Sequence, residues 1–180
     1  MKYYIMLQDK RMQHKIKFRE FPTEKTQEFG TDFANRMKWS VTLHVQDNDH
    51  TVYGEVIEAP CYMVSKKVHD VIKMFDPEAL FSNVVFSLKE GEPLMYKVLL
   101  ADRMDVLHEA TEFHKDQSVK RLTLDKDKIG NMQIFRIKGI SPNYIVVSMA
   151  IAESIIRRNC VGIAFQEIEV LDGCKTQFTL

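Results

Sequence analysis

The densest group of side chains able to hold a metal is His108-Glu109-Ala110-Thr111-Glu112-Phe113-His114. On a helix, His108 and Glu112 would stand one turn apart and could reach a single ion. The zinc-peptidase signature needs a histidine at the position Glu112 occupies, and no third ligand follows at a characteristic spacing. The segment therefore reads first as a polar, solvated face, with metal binding the weaker reading. His44 alternates with the apolar residues of Val41-Thr42-Leu43-His44-Val45 and is expected to face solvent.

Nucleophiles fare no better. A thiol hydrolase would have to use Cys61, Cys160 or Cys174. Cys61 and Cys160 flank expected helices, where packing is the ordinary role of cysteine. No Gly-x-x-x-x-Gly-Lys-Ser/Thr loop, Gly-x-Gly-x-x-Gly or Gly-x-Ser-x-Gly elbow occurs. Two carboxylate pairs could serve as general acid and base. Asp125 and Asp127 sit in a sign-alternating turn, and Asp102 and Asp105 are expected to start a helix, offsetting the positive end of its dipole. The stretch Lys10 to Arg19 mixes cations with Phe18 and could touch phosphate, but a solvated arm is the better reading.

Composition sets the frame for these residues. The chain has 180 residues, 25 Lys+Arg against 25 Asp+Glu and 45% hydrophobic residues, so it can bury a sizeable core and is not disordered as a whole. A net charge of +0 speaks against binding nucleic acid by bulk electrostatics. Three well-separated cysteines make neither a disulfide framework nor a zinc knuckle. The apolar run near the start is shorter than the roughly 7–15 residues of a signal peptide core. A soluble, cytoplasmic protein is expected.

The positioning elements follow from periodicity. Val68, Val71, Ile72 and Phe75 form a helical stripe, with Ser65 placed as its cap and Pro77 as its stop. Ser148 caps a second helix carrying Ile151, Ala152, Ile155 and Ile156. Strands are expected at Tyr3 to Leu7, in a hairpin pairing Val41 to Val45 with Thr51 to Ile57, and at Val84 to Leu88, Leu94 to Leu100, Val119 to Leu124, Ile134 to Lys138 and Tyr144 to Val147. A last strand starts at Gly162, with a bulge near Gln166 and Glu167 because Ile163 and Phe165 are out of phase with Ile168 and Val170. These elements predict an α+β fold: a mostly antiparallel or mixed sheet, two principal amphipathic helices, and a helix–strand unit used twice. Residues 1–60 are expected to form a β-rich N-terminal lobe and 61–180 an α+β domain, together one compact unit.

Over residues 60–170 the order of these motifs resembles the bacterial polymorphic-toxin immunity-protein family called immunity protein 11. The likeness is carried by Val64-Ser65 opening a helix, Tyr96 to Leu107 as a strand leading to a Val-Asp-Ala-Leu-type element, Arg121 to Ile129 leading into Ile134 to Gly139, and Val147-Ser148, a helix and Gly162-Ile163-Ala164-Phe165. His108-Glu109 departs from the family's usual continuation.

The resemblance implies a non-enzymatic protein without cofactors that binds a cognate toxin domain and occludes its active site or holds it inactive. No membrane and no direct nucleic-acid partner are expected. For the toxin-binding surface, Asp102, Asp105, Glu109 and Glu112 offer a negative face suited to cations around a nuclease or nucleotide-using active site; a plain solvated helix is the other reading. The alternative function is a hydrolase, either metal-dependent through His108, Glu112 and His114 or reversing a toxin's covalent modification.

Overall fold

A computed structural model describes residues 1–13, 15–19, 41–46, 48 and 50–173. Among the described residues the fold is mostly β, 43% strand and 16% helical, with two curled half-barrel sheets and three short helices. The strands are β1 (Tyr3–Gln8), β2 (Lys17–Phe18), β3 (Val41–Gln46), β4 (Val56–Ile57), β5 (Met63–Ser65), β6 (Leu80–Ser87), β7 (Leu94–Leu100), β8 (Arg103–Met104), β9 (Glu112–Phe113), β10 (Val119–Arg121), β11 (Thr123–Asp125), β12 (Ile134–Ile137), β13 (Ile145–Ser148) and β14 (Ile163–Leu171). The helices are α1 (Lys66–Phe75), α2 (Lys126–Ile129) and α3 (Met149–Arg157).

The first sheet runs β2-β3-β6-β7-β5-β4 and the second β11-β14-β1-β13-β12-β8, while β9 and β10 form a separate ribbon. Five strands of one order match five of the other: β3-β6-β7-β5-β4 corresponds to β11-β14-β1-β13-β12, with β2 and β8 added at opposite ends. β3 lies parallel to β6 as β11 lies parallel to β14. Antiparallel pairing then takes β6 through β7 and β5 to β4, and likewise β14 through β1 and β13 to β12.

This architecture corrects the α+β expectation. Helices do form at both apolar stripes, but they span ten and nine residues, and α2 only four. The strands carry most of the apolar residues. What recurs is a five-strand order, and the helix–strand unit read from the sequence lies within it, as β5-α1-β6 and β13-α3-β14.

The helix ends are chemically marked. Ser65 accepts a hydrogen bond from the Val68 amide, and Ser148 from that of Ile151, each satisfying a backbone donor the helix leaves unpaired. The Asp76 amide closes α1 on the Ile72 carbonyl just before Pro77. Val68, Val71 and Ile72 of α1 and Ile151, Ala152 and Ile155 of α3 enter a central core with Val64 and Leu99 of the first sheet and Met6, Ile145 and Val147 of the second.

Each sheet buries its other face as well. Leu43, Met63, Phe86, Tyr96 and Val98 form an outer core on the first sheet; Tyr3, Ile5, Phe135, Ile137 and Val146 form one on the second. This two-sided burial explains the phase change in β14. Ile163 and Phe165 pack on the central core, whereas Ile168 and Val170 pack on the outer one. Pairing with β1 runs in unbroken register from Ile163 to Ile168, so the expected bulge is absent there. The expected hairpin of Val41–Val45 with 51–57 does not form either. β3 is an inner strand held by β2 and β6, and β4 pairs with β5.

Candidate functional site

After β7 the chain runs as an extended strap, not the helix its acidic spacing suggested. Its backbone is claimed by strands remote in sequence. The Asp102 carbonyl accepts from the Arg136 amide (2.7 Å), that of Met104 from Lys138 (2.9 Å), and that of Val106 from Asp125 (2.9 Å), while the His108 amide donates to Thr123 (3.0 Å). Ala101, Val106 and His108 turn inward and are buried. Asp102, Asp105, Glu109 and Glu112 are all exposed along the strap and the start of the ribbon. The structure thus strings the four acids along one extended segment instead of collecting them on a helix face. Glu112 pairs with Lys120 across the ribbon at 2.6 Å. The Lys120 hydrogen bond and charge hold its carboxyl below the usual range.

His108 has a packing role. Its Nδ1 accepts from the Ala110 amide (3.0 Å), which places the proton on Nε2, and Nε2 lies 3.3 Å from the Asp172 carbonyl, to which it donates. A metal at His108 would displace one of these backbone bonds. His114 is exposed. Among the described residues, no three His, Cys, Asp or Glu side chains gather in a metal-holding group.

The other chemical candidates are also built into the scaffold. Cys61 is buried, and burial pushes its thiol up to about 12. Only about one molecule in 10⁵ would carry the nucleophilic thiolate at neutral pH. Burial also raises Cys160, and Cys174 lies outside the described residues. Asp125 caps α2 by accepting from the Asp127 and Lys128 amides, so the Asp125–Asp127 pair marks a helix start. In the basic stretch, Arg11 pairs with Asp9 (2.9 Å), and the Phe18 ring packs against Phe86 at 5.2 Å; His14 lies outside the described residues.

Two concave features escape sequence reasoning. One is a cavity of about 340 Å³ bordered by Cys61, Tyr62, Pro142, Tyr144 and the side chain of Arg136. Arg136 is only 4% exposed, and its Nη2 donates to the Leu99 carbonyl at 2.9 Å. Burial, with the nearby charge of Arg103, brings its guanidinium down to about 10. In Ile134-Phe135-Arg136-Ile137, simple alternation puts such an arginine opposite Phe135, and nothing local signals that both sheet faces are covered. The second feature is a groove of about 300 Å³ where the end of α1 and the start of β6 meet β12. Leu80, Ala101, Met104 and Met132 help line it, with Asp76, Glu78 and Asp102 among its residues. Asp102 alone belongs to both this groove and the acidic set read from the sequence.

A scan against protein families matches residues 5–170 to the immunity protein family Imm11. The chain belongs to that family. The match begins inside β1 and ends inside β14, so it takes in both sheets and extends the likeness seen over 60–170 to the N-terminal strands. A search of curated proteins finds no match. Membership of Imm11 points to a toxin-neutralising immunity role with a toxin as partner. Among the described residues, no helix is long and apolar enough to cross a membrane.

Proposed function

We propose that this Imm11 protein acts in the cytoplasm by binding a cognate toxin domain and neutralising it, covering the active site or holding the domain inactive, with no reaction of its own. The family match across residues 5–170 carries this reading. The chemistry of the side chains supports it: the buried Cys61 thiol stays protonated, and His108 is spent on backbone bonds. Inhibition of this kind needs a stiff surface burying about 1,600 Å² with a few dominant anchors. Two sheets sharing a central core supply such stiffness. We place the toxin-facing surface along Asp102, Asp105, Glu109 and Glu112, where exposed negative charge steers a cationic partner.

Co-expression with the cognate toxin is the test. Survival of the host together with a purified stoichiometric complex is expected; continued killing with no complex would overturn the proposal. Reversing Asp105 and Glu109 to lysine is expected to slow association about tenfold at low salt. An unchanged on-rate would remove that surface from the reading.

A further inference from the structure

The groove between α1, β6 and β12 is a concave feature that adjoins the strap at Asp102. Its floor is apolar. Leu99 and Phe135 are fully buried beneath it, while Leu80 at its edge keeps 47% exposure despite being a large aliphatic residue. Met104 and Met132, both half-buried, add flexible side chains that adapt to an incoming shape. Asp76, Glu78 and Asp102 bring three negative charges to this one groove, and among the described residues no lysine or arginine lines it. Lys73, the nearest cation of α1, is held by the Pro77 carbonyl at 2.6 Å. Among the described residues no ion pair or side-chain hydrogen bond engages the three carboxylates.

We propose that this groove receives a basic and apolar segment of the cognate toxin, with a lysine or arginine at the acidic residues and an adjacent aliphatic or aromatic side chain on the Leu80–Met104–Met132 floor. The inference rests on the toxin-neutralising reading and adds the chemistry of the segment recognised. Charge complementarity selects the occupant: a neutral or acidic segment would leave three carboxylates facing apolar or like-charged groups. Continuity supports it too, since Asp102 begins the exposed acidic strap, so one partner can span both.

The test uses the full chain and the purified cognate toxin domain, with binding measured by calorimetry and stopped flow at two salt concentrations. The variant D76N/E78Q/D102N keeps side-chain size at exposed or half-exposed positions. It is expected to weaken Kd about tenfold to a hundredfold and to flatten the salt dependence of the on-rate. Leu80→Gln, at a side chain that keeps about half its exposure, is expected to weaken Kd about tenfold while leaving the salt slope unchanged. Glu90→Gln with Glu92→Gln, in the turn between β6 and β7, is the control expected to match wild type. If wild type binds and the triple variant binds equally well, the groove is excluded and neutralisation stands. If wild type neither binds nor protects, both readings fall. A doubling of mass in sedimentation of the chain alone, lost in Leu80→Gln, would put a second copy in the groove and overturn the assignment.

Discussion

In the first sheet, β6 and β7 are successive strands joined through residues 88–93; in the second, the corresponding central strand is β1, from the start of the chain, paired on one side with β13 and on the other with β14. The two central strands nevertheless do the same physical work. β7 sends Leu99 to the central core and Tyr96, Val98 and Leu100 to the first outer core. β1 sends Met6 to the central core and Tyr3 and Ile5 to the second outer core. Strand order here follows from the need for a middle strand apolar on both faces, and connectivity is secondary. The sheets differ in how their outer cores close: the first uses Ile16 and Cys61, the second the strap through Val106 and the short α2 through Ile129.

The strongest test of this equivalence truncates one aromatic in each outer core. Phe86 lies 4.5 Å from the Tyr96 ring, and Phe135 lies 5.8 Å from Tyr3; both phenylalanines are fully buried. Phe86→Ala and Phe135→Ala are each expected to cost about 3–5 kcal/mol in urea unfolding. If one proves nearly silent, the sheets are not energetic equals.

An intermediate effect is expected from alkali, on the first sheet's side. Cys61 has a folded pKa raised from 9.0 to about 12. Below pH 9 both folded and unfolded thiols are protonated, and stability is intact. Between pH 9 and 12 the unfolded chain has lost a proton the folded one keeps, so stability falls with rising pH by about 1.4 kcal/mol per unit. Cys61→Ala should make the fall shallower by that amount in urea melts at pH 8, 9.5 and 10.5. An identical slope in the variant would show that burial of the thiol is not what is titrated.

The smallest effect separates the helix caps. Ser65→Ala removes a cap at a half-exposed site and is expected to cost about 1 kcal/mol. Ser148 is 1% exposed, and its hydroxyl also donates to Gln133 at 2.7 Å. Ser148→Ala should therefore cost about 2 kcal/mol, since it also takes the donor from the half-buried Gln133 side-chain oxygen. Equal losses in thermal melts would mean the Gln133 bond adds nothing.

Local pattern located what local forces build. The stripes at Val68, Val71, Ile72 and Phe75 and at Ile151, Ala152, Ile155 and Ile156 announced α1 and α3, and both serines sit where a cap must, but Phe75 and Ile156 are exposed. The strap defeated the same reasoning. Asp102, Asp105, Glu109 and Glu112 recur at a helical interval, but apart from the Thr111–His108 turn the backbone hydrogen bonds of this segment go to residues near Arg136 and Thr123. The phase slip in β14 was visible in the sequence and assigned to a bulge, because nothing local tells a strand wrapped by two cores from a strand that shifts register. The groove was invisible for the same reason: Asp76, Asp102 and Met132 meet only after α1, β7 and β12 have packed. Of the candidate site, the exposure of the acids was legible and their shared path along the strap was not.

The placement of β1 has a consequence for timing inside the cell. Its two flanking neighbours are β13 and β14, so the opening strand leaves the ribosome long before either is made. The first sheet, drawn from the middle of the chain, can gather as it emerges, but the second waits for the last strand, and non-local pairings of this kind are slow. Closure of the second sheet therefore waits until β14, which pairs with both β1 and β11, has been made.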